Sequence, residues 1–190
     1  MRKQLITKEQ IIKATASIIS EKGLENITVD DIAKRAGIAK GSIYLYFKTR
    51  DEIFEEAIKY VNNNRIEKLK EVVLPHSSSI DKLKALLKLN QKIIESQPEL
   101  FLMNYSLMIA TGRGIRNKGV GEYFKTYIDY FEEVIKKGIQ NKEIIEVNAR
   151  NLAVILIFTQ DLATIFNQID KKVLTTKTIP QNLMDLISIK

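Results

Sequence analysis

Apolar residues recur at intervals of three and four, rather than two, along most of this chain of 190 residues. That spacing is one face of an α-helix, repeated. The chain has only 8 glycines and 3 prolines, too little punctuation for the many tight turns of an all-β chain. The reading is an all-α protein of about nine helices. With 45% apolar and 28% charged residues, it has the composition of an ordinary globular protein that can bury a core.

Composition also removes whole classes of function. The chain contains no cysteine, so disulfides, thiolate catalysis and thiolate-bound zinc are excluded. Its single histidine, His76, sits in the loop-like run PHSSS, and no paired-carboxylate motif stands out. We therefore expect no enzyme activity, no metal and no cofactor. The N-terminus MRKQLITKEQII has no signal-peptide core. The longest apolar run, LAVILIF at Leu152–Phe158, is far shorter than a membrane span. A cytoplasmic location with no membrane partner is expected. The net charge of +7 and pI near 9.4 suit a nucleic-acid partner, as they would suit a merely lysine-rich composition.

Helix limits are legible from capping chemistry. Thr7-Lys-Glu-Gln10 has the form of a capping box, and Gly23 would close the first helix in a left-handed cap. Thr28-Val-Asp-Asp31 opens a second helix that Gly37 ends, and a third runs from about Ala39 to Tyr46. Thr49-Arg-Asp-Glu52 opens a fourth, with Phe54, Ile58, Val61, Leu69 and Val72 on one stripe, stopping before Pro75. Further helices are expected over Ile80–Glu95, from Pro98 to about Ala110, over Glu122–Gln140 and over Ala149–Asp170, with a last one capped at Thr178. A division near Arg50 gives a head of residues 1–50 and a larger helical part of 51–190.

The head holds the most informative stretch, TVDDIAKRAGIAKGSIYLYFKTRDEI. Between Asp31 and Asp51 it carries Lys34, Arg35, Lys40, Lys48 and Arg50 with no carboxylate among them. A helix-turn-helix needs a small residue at the helix crossing and a glycine in the turn. Ala33 and Gly37, four residues apart, meet both needs. Ile32, Ala36, Ile38, Ile43 and the Tyr46–Phe47 pair supply packing, which leaves Lys40, Ser42 and Tyr44 facing outward. The first turns of Ala39–Tyr46 would then enter a major groove, and Gly41 would let the backbone come close to a base edge or phosphate. A plain helical hairpin with a solvated face shares the Ala/Gly spacing; the run GSIYLYFKTRDEI favours the helix-turn-helix over it.

The run TVDDIAKRAGIAKGSIYLYFKTRDEIFEEAI, with IIKATASIISEKGLENITV before it, resembles the DNA-binding N-terminus of the TetR family of transcriptional repressors over about Lys8–Ile58. The resemblance implies phosphate contacts by Thr28, Tyr44, Lys48 and Arg50. It implies groove contacts by Lys40, Gly41, Ser42 and Tyr46. Ala39 replaces a hydroxyl residue found in some relatives, and the role of Leu45 stays open.

The remainder carries most of the aromatics not yet accounted for. Tyr123, Tyr127 and Tyr130 recur at helical spacing beside Phe124 and Phe131, and a buried tyrosine hydroxyl needs a partner. The usual fate of such stripes is core. The resemblance implies an effector pocket, which we expect among Phe101, Tyr105, Met108, Tyr127, Phe131, Phe158 and Gln160, for a small amphipathic or hydrophobic molecule. The helix from Ala149 is apolar nearly all round and must be covered all round. With the last helix it would form the interface of a homodimer, as the resemblance also implies. GRGIRNKGVG lacks the glycine spacing and the Lys-Ser/Thr pair of a phosphate loop and reads as a basic connection.

Together these readings give a dimeric repressor that binds a near-palindromic double-stranded operator and is released by a small-molecule effector. The competitors are an activator or a ligand-independent regulator on the same fold, a helical enzyme, and a protein-binding adaptor.

Overall fold

A computed structural model describes residues 7–22, 27–98, 101–102, 104–105, 118–169 and 178–189. Eight helices occur among them: α1 (Lys8–Lys22), α2 (Val29–Ala36), α3 (Lys40–Ile43), α4 (Arg50–Val73), α5 (Ser79–Ser96), α6 (Lys118–Gln140), α7 (Ala149–Ile169) and α8 (Ile179–Ile187). No strand is present among the described residues; an isolated antiparallel bridge joins Ile144 to Ser188. The chain divides into two compact units, residues 1–64 with 99–123, and residues 65–98 with 124–190.

In the first unit the caps fold as their chemistry requires. Thr7 N donates to Gln10 Oε1 at 3.0 Å and Gln10 N to Thr7 Oγ1 at 3.3 Å, a reciprocal box. Thr28 and Asp31 form a second box at the start of α2, which satisfies amides that the first helical turn leaves without partners. α1 packs on α2 and α2 on α3, around Ile11, Ile18, Ile19, Ile32 and Ile43, each at most 2% exposed. The third helix is shorter than expected. Tyr46 N and Phe47 N both donate back to Ile43 O, at 3.0 and 3.1 Å. The chain therefore turns after Ile43 and swings Phe47, 1% exposed, into the core. Gly23 lies outside the described residues.

In the second unit α5 packs on α7 and α8, and α7 on α8. Ser78 Oγ and Ser79 N both donate to Glu143 Oε2, at 2.8 and 2.6 Å, tying the start of α5 to the α6–α7 connection. Gly138 sits so close to that junction that an added Cβ would stand 2.5 Å from Ile144 Cδ1 and 2.9 Å from Ser79 Cβ. Two expectations are corrected here. Helix α6 begins at Lys118, so the end of the run read as a flexible connection is helical. Thr178 makes no side-chain cap, because its backbone is in the right-handed helical region rather than extended; Pro180 in the first turn starts α8 instead.

Helix α7 is long and apolar enough over 149–167 to cross a membrane by composition, yet half of that window is buried within the protein. It also carries Gln160, Asp161 and Thr164, all at most 3% exposed, which hydrogen-bond as core residues do.

Candidate nucleic-acid interface and effector region

The turn between α2 and α3 depends on Gly37, at φ 69° and ψ 33°. Its N–H and that of Ile38 close the end of α2 on Lys34 O and Ala33 O, at 3.3 and 3.0 Å. A side chain at Gly37 would meet nothing within 4 Å, so the demand for glycine there is conformational rather than steric. Ala33, 5% exposed, is the small residue at the crossing. Beyond the turn, Tyr44 (49%), Leu45 (82%) and Tyr46 (37%) stand exposed together, with Lys40 and Gly41 also exposed and Ser42 half-buried. Gly41 lacks the left-handed backbone of Gly37, and a Cβ there would also meet nothing within 4 Å. The fold itself makes no use of a glycine at that place.

The basic residues do not form one uniform face. Arg35 donates from Nη1 and Nη2 to both oxygens of Glu21, at 2.7 and 2.5 Å, and from Nη1 to Ser17 Oγ at 2.7 Å. The hydrogen bond from Arg35 holds the Glu21 carboxyl down at about 2. Lys40 Nζ rests on Asp30 Oδ2 at 2.8 Å, which raises its pKa above the usual lysine value. Arg50 donates from Nε and Nη2 to Ile27 O, at 3.2 and 2.9 Å, and lies over the Phe54 ring at 4.4 Å. The carboxylates absent between Asp31 and Asp51 thus arrive from preceding helices, Glu21 of α1 for Arg35 and Asp30 of α2 for Lys40. Thr28 is engaged as well, its hydroxyl donating to Asp31 Oδ2 at 2.6 Å. Lys48 is exposed, and its backbone N–H donates to Glu52 Oε2 at 2.8 Å.

The residues expected around an effector fall in both units. In the first, the Phe101 and Tyr105 rings are in tilted contact with centroids 4.4 Å apart. The buried Asn62 and Asn104 exchange amide hydrogen bonds there at 3.2 Å in both directions. In the second, Tyr127 and Phe131 are in contact at 5.2 Å and nearly fully buried, and Phe158 is half-buried. Gln160, fully buried, donates to Gln91 Oε1 and Thr164 Oγ1, at 3.3 and 3.2 Å. Its own Oε1 is buried without a hydrogen-bond partner. Met108 lies outside the described residues.

Sequence reasoning missed the polar set that joins α5 to α7. Asn90 donates to Asp161, and Gln91 accepts from Gln160. It also missed Arg65, which is 8% exposed in the middle of α4. One signal was available: each of these polar residues occupies a position where the helical apolar rhythm calls for a core side chain. A groove of about 460 Å3 between the end of α4 and α5, lined by Val72, His76, Asp81, Lys84, Ala85, Lys88, Leu89 and Lys92, includes none of the expected residues.

The comparisons agree with this geometry. The profile of "Bacterial regulatory proteins, tetR family" matches residues 11–57. A Bacillus subtilis fatty acid metabolism regulator protein is 30% identical over 149 residues, which cover 78% of this chain and 76% of that one. The negative regulator IcaR of the Staphylococcus aureus biofilm operon is 40% identical over 60 residues, 30% of this chain and 32% of IcaR. The structure of the Bacillus subtilis regulator FadR in complex with stearoyl-CoA superposes with a TM-score of 0.72 at 23% identity, over 95% of this chain and 97% of that one. These proteins are transcription regulators rather than enzymes. The chain belongs to the tetR family of bacterial regulatory proteins, and it is a DNA-binding transcriptional regulator.

Proposed function

We propose that this protein is a cytoplasmic repressor that binds a near-palindromic operator as a homodimer and is released by a long-chain acyl effector, such as an acyl-coenzyme A. The observation that carries the DNA side is the exposed set Lys40, Gly41, Ser42, Tyr44, Leu45 and Tyr46 on a short helix held by the Gly37 turn. Lys40, Gly41, Ser42 and Tyr46 line the groove; Thr28, Tyr44 and Lys48 reach phosphates. Arg50 joins them only by leaving Ile27 O, and Thr28 only by turning its hydroxyl from Asp31. Residues 1–50 act as the reading head and 51–190 as the effector-binding and dimerising part.

The effector class is supported by similarity to the fatty acid metabolism regulator. The candidate effector contacts are Phe101, Tyr105 and Met108 in the first unit and Tyr127, Phe131, Phe158 and Gln160 in the second. The dimer is supported by a stripe on α7, where Ile155, Leu162 and Phe166 are 53–56% exposed, and by Leu186 on α8, 75% exposed. A contiguous exposed apolar row of this kind suits an interface with a partner.

Fluorescence anisotropy on DNA upstream of the gene, with nonspecific competitor and a salt series, tests the reading. Binding that survives competitor, weakens steeply with salt and is released by stearoyl-CoA is expected. Affinity no better than for random fragments across a genome-selected pool would refute it.

A further inference from the structure

Arg65 lies in the apolar stripe of α4, between Ile58 and Leu69, which are 3% and 1% exposed. Its own exposure is 8%, and its Nε and Nη2 are buried with no hydrogen-bond partner. No ion pair joins it to any described carboxylate. A guanidinium stays charged in any protein environment, so it cannot escape by giving up its proton as a lysine could. A buried charge with neither counter-ion nor hydrogen bonds is among the costliest arrangements a fold can hold. The two open nitrogens are also a particular pair. Nε–H and Nη2–H point the same way and form the side-on fork that receives two oxygens of one carboxylate or phosphate. Arg50, fifteen positions earlier on the same helix, uses this same pair of nitrogens on Ile27 O. At Arg65 the fork is empty.

We infer that Arg65 is the seat for the anionic oxygens of the effector. Those oxygens are the carboxylate of a fatty acid or a phosphate of its coenzyme A thioester, the acyl chain lying against apolar residues. The inference rests on the acyl reading of the effector and adds to it a residue and a charge requirement. In the ligand-free protein Arg65 is a liability to stability that only an acidic ligand removes. A purely structural arginine would behave in the opposite way.

The test compares wild type, Arg65→Met and Arg65→Lys in thermal melts with stearate, stearoyl-CoA and octadecanol as probes. Without ligand, Arg65→Met is expected to melt a few degrees above wild type, since it replaces an unpaired buried charge by an apolar side chain of similar length. Wild type should be stabilised more by at least one of the two acidic probes than by octadecanol. In Arg65→Met, affinity for that acid should fall roughly ten- to a hundredfold, the loss of one charge-assisted bidentate contact, while the response to octadecanol persists. Arg65→Lys keeps the charge without the fork and should fall between. Stronger stabilisation by stearate would assign the seat to a carboxylate, and by stearoyl-CoA to a phosphate. Equal responses to stearate, stearoyl-CoA and octadecanol would leave the acyl reading standing and overturn the role of Arg65. So would an Arg65→Met protein that melts lower than wild type or binds the acid as tightly. A wild type that responds to no probe would overturn both readings.

Discussion

Gly41→Ala separates what α3 needs for folding from what it needs for reading DNA. The residue lies in the helix Lys40–Ile43, is exposed, and a Cβ there would meet nothing within 4 Å. Replacing a helical glycine by alanine at a compatible site stabilises by about 0.5–1 kcal/mol, mainly by restricting the unfolded chain. A helix of four residues places the gain at the lower end. For a chain of this size that is a rise in Tm of about 1–2 °C. On the operator the sign reverses. If the α3 backbone lies against a base edge or phosphate, a methyl group displaces the helix. An ill-fitting contact costs about 1–3 kcal/mol per site. Two heads in a dimer double this, so affinity drops by at least ~30-fold at fixed salt. The assay is a melt and an anisotropy titration on the same preparations. A variant that is more stable and binds with unchanged affinity would refute the placement of α3 in the groove. A less stable variant would refute the backbone conformation assigned to Gly41.

Lys48→Ala should weaken binding similarly on all sequences and reduce the slope of log affinity against log salt by roughly 2 for a dimer, about 0.9 per phosphate contact; an unchanged slope removes Lys48 from the phosphate set. Leu162→Glu places a charge in the exposed α7 stripe and should convert a dimer into a monomer in sedimentation while the melt of the monomer persists; an unchanged oligomeric state argues for another interface. Glu21 carries a depressed carboxyl at about 2, with the Arg35 hydrogen bond as the largest cause. Its folded value lies below the unfolded one, so its stabilising contribution is complete above about pH 4.5 and is lost as pH falls toward 2. An NMR titration should find this carboxyl still ionised near pH 3 in wild type and back in the usual range in Arg35→Gln.

What was legible in the sequence was local. The caps at Thr7, Thr28 and Gly37 could be read because each is decided by residues three or four positions away, and the helical stripes because one helix carries its own period. The head's packing around Ala33, Ile43 and Phe47 followed from the same short-range logic. The partners of Arg35 and Lys40 were not legible, since Glu21 and Asp30 lie 14 and 10 residues distant and meet them only once the helices cross. The shape of α3 was misread for a related reason. Nothing in GSIYLYF shows that burying Phe47 outweighs another helical turn. In the second unit, aromatic residues drew attention to a pocket, while the polar residues at core register, Asn90, Gln91, Asp161 and Arg65, passed unnoticed. Propensity rules treat a polar residue in an amphipathic helix as solvent-facing by default, and only the packing of α5 on α7 shows otherwise.

The two arginines of α4 frame how an effector could act on the head. Arg50 at its first residue is satisfied by the carbonyl of Ile27, at the entrance to α2. Arg65 comes fifteen residues later in the same helix. A ligand shifts a protein between two states only by its difference in affinity for them. Inverting a population from 1:99 to 99:1 takes a difference of about 10⁴. One charge-assisted fork supplies roughly ten- to a hundredfold, which is too little alone. Two symmetry-related forks in a dimer multiply to roughly 10²–10⁴, so the full switch requires both protomers to be loaded and a near-complete gain at each. A regulator built this way releases its operator with a Hill coefficient approaching 2 for the acid ligand, and a heterodimer carrying one Arg65→Met protomer is at most about half released.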